Sequence, residues 1–102
     1  MTVALNYYTL AIAAGTTTPQ VIGGEMDWKY EANQVRRWTV QLANGADSLL
    51  LEATLDGTNW FSVNAAITGT TAIQSGTITG PIRQFRATKT GTNGAATVTA
   101  MI

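Results

Sequence analysis

The 102-residue chain contains no cysteine and no histidine. Without thiols it can build neither a disulfide framework nor a thiolate metal site. Without imidazoles it also lacks the usual nucleophile–base pairs and most transition-metal ligands, so no catalytic residue, metal or cofactor is expected. Charge is scarce: 12% of residues, six basic against six acidic, for a formal net charge of zero. Nothing in that balance draws the molecule toward nucleic acid or an anionic membrane, and neither is expected as a partner. Proline occurs twice, and no apolar run approaches the ~18 residues of a membrane span. Residues 1–15 are apolar, with Ala11-Ile12-Ala13-Ala14 resembling a cleavage region. A positive n-region is missing, however, and Asn6, Tyr7, Tyr8 and Thr9 interrupt the run, so the segment reads as structure and not as a signal peptide. The protein is therefore expected to be made and kept in the cytoplasm.

What the chain does have is eighteen threonines and ten glycines, a balance that favours strands and turns. At this length it is one domain, 1–102, large enough for a single core. The clearest local signal is the stretch Ser48 to Val63, where the arm Leu49–Leu55 meets Asp56-Gly57-Thr58-Asn59 and then Trp60-Phe61. Asp-Gly between two strand-like runs marks a β-hairpin, because glycine accepts positive φ and aspartate bonds the nearby backbone. Leu49, Leu51, Ala53 and Leu55 on one face then require a second sheet to cover them.

The other strands follow from alternation. Val3–Ala14 reads as a long first strand with Tyr8, Leu10 and Ile12 on one face, and residues 1–14 are a candidate strand or arm in an interface. Gln20–Ile22 is a short strand after the Pro19 loop. Glu25–Ala32, with Trp28 and Tyr30, reads as a short helical turn or an irregular loop. Gln34–Ala43 places Trp38, Val40 and Leu42 against Arg37, Thr39 and Gln41. Asn44-Gly45-Ala46-Asp47 then reads as a turn pairing that strand with Leu49–Leu55, and Trp60–Asn64 completes a three-strand meander. Residues 65–80 hold two short strands split near Gly69 or Gly76. Ile82–Thr88 carries Phe85 and Ala87 on one face, Gly91-Thr92-Asn93-Gly94 reads as a hairpin turn, and Ala95–Ile102 ends the domain with Val98, Ala100 and Ile102 inward. The expected fold is an all-β antiparallel β-sandwich, jelly-roll-like, of about 7–9 strands.

Few residues point to chemistry. Glu25 and Asp27 would share a face on an extended strand, as an acid–base pair needs, but a solvated loop explains them without a pocket. Asp56, Thr58 and Asn59 offer oxygens to calcium, yet turn chemistry uses the same groups, and calcium takes about six to eight ligands. Arg36 and Arg37 beside Trp38, and Arg83 and Arg86 around Phe85, interleave bases with aromatics as single-strand binders do. Alternation instead puts both aromatics inside and leaves the arginines as surface or interface residues. Tyr7 and Tyr8 are adjacent, so a regular strand turns one away from the core. With Trp28, Tyr30 and Arg36 they form the candidate protein interface. Zero net charge points the same way, because solubility is marginal there and such domains often live in assemblies.

At Leu50 to Trp60, LLEATLDGTNW, then Gly80-Pro81-Ile82-Arg83-Gln84-Phe85-Arg86-Ala87 and Ala96-Thr97-Val98-Thr99, the chain resembles small structural proteins of tailed bacteriophages. The pattern covers about the C-terminal half: a strand, a D-G-T-N-W turn, a G-P-x-R strand and a final T-V-T strand. A similar turn and arginine-bearing strand occur in discoidin-like carbohydrate-binding sandwiches, for which this chain is short. The phage resemblance implies a non-enzymatic virion protein on the capsid surface, a decoration (cement) protein that binds neighbouring major capsid protein subunits and itself, often as trimers. A tail or head–tail connector subunit is the alternative of similar build, and a carbohydrate-binding module is the alternative from the discoidin likeness.

Overall fold

The computed structural model describes residues 7–22, 35–79 and 82–101, and every regular element among them is a strand. Sheet 1 holds β1 (Tyr7–Ile12), β9 (Ala96–Met101), β3 (Val35–Leu42) and β7 (Gln74–Thr79), in that spatial order. Sheet 2 holds β2 (Gln20–Val21), β8 (Gln84–Thr90), β4 (Ser48–Thr54) and β5 (Trp60–Ser62), with β6 (Ile67–Thr68) also paired to β4. All pairings are antiparallel. β5 lies along Glu52–Thr54 and β6 along Ser48–Leu49, with the Val63 N–H donating to the Leu51 carbonyl between them at 2.9 Å. The two therefore behave as one interrupted strand.

Taken so, the chain is a long hairpin pairing β1 with β9, β2 with β8, β3 with β7, and β4 with β5 and β6. It is rolled so that successive pairs fall alternately in the two sheets, which is the jelly-roll arrangement. The core lies between the sheets. Sheet 1 contributes Ile12, Trp38, Val40, Leu42, Ala96, Val98 and Ala100, and sheet 2 faces them with Leu49, Leu51, Ala53, Phe85 and Ala87, while Ile22 and Ile82 close the flanks. These are the residues that a period of two selects, and trimming a large one to alanine in such a core costs about 2–5 kcal/mol.

Four expectations are corrected. β3 does not pair with β4: it lies between β9 and β7, and β4 lies in the other sheet between β8 and β5. Asn44–Asp47 is a tight turn all the same, with the Asp47 N–H donating to the Asn44 carbonyl at 3.1 Å and the Ala46 N–H to Asn44 Oδ1 at 2.9 Å. It carries the chain across the sandwich, because turn residues specify a reversal and not which sheet receives the next strand. For the same reason Gly91–Gly94 links strands of different sheets and is no hairpin. Leu55 leaves the core face, 55% exposed, because β4 ends at Thr54. Arg36, expected on an outward face, is 3% exposed and shares the inward parity of Trp38. The split expected in 65–80 falls after Thr68, near Gly69, and Gly76 lies inside β7. The expected segments Val3–Asn6, Glu25–Ala32 with Glu25, Asp27, Trp28 and Tyr30, the Gly80-Pro81 pair and Ile102 lie outside the described residues.

Candidate interaction surface

The hairpin tip is built around one carboxylate. Asp56 Oδ1 accepts from the backbone N–H of Asn59 at 2.7 Å and of Thr58 at 2.8 Å, and from the Thr54 hydroxyl at 3.0 Å. Its Oδ2 accepts from Asn59 Nδ2 at 2.6 Å. Gly57 supplies the left-handed residue of the turn at φ 84°, where a side chain would be strained. Arg83 reaches over from the start of β8 and donates Nη1 to the Asp56 carbonyl at 3.1 Å. The hydrogen bonds from the Asn59 and Thr58 backbone, and then from the Asn59 side chain, hold the Asp56 carboxyl far below its usual range. The Asp56 carboxylate, the one charged group considered for calcium, is thus occupied in shaping the turn. Among the described residues no group of three acidic, histidine or cysteine side chains is placed to hold a metal.

Beyond the tip, Trp60 lies on the outer face of sheet 2. The Arg86 guanidinium stacks 4.0 Å from its ring centroid while Nε donates to Glu52 Oε1 at 3.1 Å. β8 sets Arg86 directly opposite both Glu52 on β4 and Val21 on β2, so the cluster follows from register. A half-buried stack of this kind is worth about 0.5–2 kcal/mol. Arg37 projects from the outer face of sheet 1, on the far side of the sandwich, and Trp38 and Phe85 are buried. The arginine–aromatic runs seen in the sequence therefore do not converge on one surface.

A buried ion pair that the sequence reading missed ties the loops at one end. Lys89 Nζ lies 3.5 Å from Asp47 Oδ2 with both side chains inaccessible, and donates to the carbonyls of Ala14 at 2.8 Å and Gly91 at 2.5 Å. Asp47 accepts from Asn93 N at 3.1 Å, Asn93 Nδ2 at 2.8 Å and Gly94 N at 2.9 Å. Burial pushes the Asp47 carboxyl up, but the bonds from Asn93 and Gly94 and the Lys89 charge outweigh it and leave the group below its usual range. The available signal was parity, which puts Lys89 on the face of Phe85 and Ala87.

The exposed apolar groups gather on strand ends and edges. Tyr7 and Tyr8 are 68% and 47% exposed on β1, Ile73 is 65% exposed just before β7, and Phe61 projects from the short strand β5. Of the candidate interface residues, Tyr7 and Tyr8 share one edge, Arg36 sits inside, and Trp28 and Tyr30 lie outside the described residues. Such an arrangement offers main-chain hydrogen bonds and apolar contact to another protein. Among the described residues no helix is long and apolar enough to cross a membrane.

No protein-family model matches the chain, and no curated protein matches it in sequence. Solved structures do share its fold. One, described as "Bacillus endospore appendages form a novel family of disulfide-linked pili", superposes with a TM-score of 0.60 at 10% identity, over 96% of this chain and 85% of that one. A second, from infectious bursal disease virus strain Gx, gives a TM-score of 0.45 at 14% identity, with 95% of this chain spanning 32% of that one. At 10% identity the likeness to the pilus structure is one of fold alone.

Proposed function

We propose that the protein is a non-enzymatic structural subunit of a tailed-phage virion, and within it a capsid decoration protein that binds neighbouring major capsid protein subunits. The observation that carries the reading is the uncharged edge of β1, six residues long with Tyr7 and Tyr8 exposed, on a chain of zero net charge. An isolated protein is kept from associating by charges, prolines or bulges on such an edge, and this one has none of the first two. Stable contacts bury ~1,200–2,000 Å² in total, within reach of a subunit that touches several neighbours. The particle surface is the proposed location, with the host cytoplasm as the place of synthesis. Quantitative mass spectrometry of purified particles tests this: the chain should be present at stoichiometric copy number, and its absence would end the reading.

The likeness to the pilus structure favours a second reading, a subunit of a filamentous surface appendage. The disulfide linkage named for those pili is unavailable to this cysteine-free sequence, so such a filament would hold together by non-covalent contacts. Immunogold labelling that decorates fibres and leaves particles bare would select this alternative.

A further inference from the structure

We infer that sheet 1 continues from copy to copy, with β7 of one subunit pairing antiparallel with β1 of the next. This rests on the structural role proposed above and names how one copy meets another. Sheet 2 ends in the two residues of β2 on one side and, on the other, in the interrupted strand of β5 and β6, three residues and two, so neither edge offers a long unbroken template for pairing. Sheet 1 ends in two strands of six residues each, YYTLAI and QSGTIT, with no charge and no proline. No described strand pairs with their outer edges. Unprotected edges of that length are templates for another strand.

The two edges fit each other in direction, length and face. Three antiparallel steps separate β1 from β7, so the strands run opposite ways, and a second molecule laid beside the first without inversion keeps the up–down alternation. Full overlap places Thr9 opposite Thr77 and Ala11 opposite Ser75, all exposed on the outer face. The same overlap sets Tyr8 opposite Ile78 and Leu10 opposite Gly76 on the core side. The half-exposed Tyr8 ring thereby gains a β-branched neighbour, a favourable cross-strand pair. Two copies of β1 paired to each other with outer faces on one side overlap in only five of their six residues. The contact is head-to-tail, so it closes into a ring or continues as a row.

Because the chain lacks cysteine, cross-linking reads this seam directly. Under mild oxidation, a mixture of the T9C and T77C single variants should give a disulfide-linked dimer on a non-reducing gel. The T9C/T77C double variant should give a ladder or one ring-sized product, and each single variant alone should stay monomeric. T9C mixed with S75C covers the neighbouring register, two residues away, and a dimer there would support the same seam. Cross-linking of T9C with itself would overturn the inference, as would no cross-link in either mixture while circular dichroism shows folded protein. Particle incorporation without these cross-links would remove the seam and leave the structural role, and cross-links without incorporation would do the reverse.

Discussion

Gly76 sits directly opposite Trp38 in the β3–β7 ladder, and a Cβ at that position would overlap the benzenoid ring of the indole. The glycine makes room for the ring, and the ring covers backbone that would otherwise lie bare at the sheet edge, an aromatic rescue of an edge glycine. Trp38 gains apolar burial there but no hydrogen bond among the described residues, where its buried Nε1 has no acceptor. Gly76→Ala should therefore cost about 1–3 kcal/mol by overpacking, read as a lower urea midpoint with an unchanged slope. In a Trp38→Leu background the same change should cost at least about 1 kcal/mol less, the coupling expected of residues in contact. The residue scale was the most legible in the sequence, because alternation alone placed Trp38, Val40, Leu42, Phe85, Ala87 and Val98 inward. It misled at Arg36, where charge was allowed to overrule parity, and it stopped short of Lys89, which lies past the expected strand end at Thr88; both follow the period of their neighbours into the interior.

Among the elements, the hairpin of β4 and β5 was readable because its turn is made by its own residues, Thr54 to Asn59. The loops at the end of the sandwich holding Asp47 were not, since their partners are distant in sequence: Lys89 bonds Ala14, 75 residues away, and Asp47 bonds Gly94, 47 away. That ion pair holds together the connections after β1, β3 and β8. A buried pair need not exceed its own desolvation cost, but removing one member leaves the other charge and its carbonyl partners unsatisfied. Lys89→Met should destabilise the fold by about 3–5 kcal/mol in chemical denaturation. Native-state hydrogen exchange should quicken at Thr16 and at Asn93 and Gly94, whose amides depend on that corner, and stay unchanged at Thr58 and Asn59. A uniform increase across both ends would show that the pair has no local role.

At the scale of the molecule, acid acts through both turn carboxylates at once. The hydrogen bonds at Asp56 and Asp47 favour the ionised form, so each folded pKa lies below its unfolded value. Their stabilisation is whole above the unfolded carboxylate range and is lost as pH falls toward the folded values. Thermal stability should vary little on their account between pH 5 and 8 and decline below about pH 4. Asp56→Asn should lie below the wild type at pH 7, and the gap in melting temperature should narrow on acidification. A gap that stays constant down to pH 2 would mean that the charge of Asp56 contributes nothing. The class of fold was legible from strand count and turn spacing, whereas the distribution of strands between sheets was not, because local turn chemistry is the same for a hairpin and for a crossing.

Tyr7 and Met101 are partners in the β1–β9 ladder, so the outermost described residues of the first and last strands lie side by side. A probe attached at either residue would sit at the same corner of sheet 1, next to the open side of β1. Probes at that corner would crowd the very edge whose behaviour they were meant to report, and a label carried on an exposed threonine of the other sheet would be the less intrusive handle.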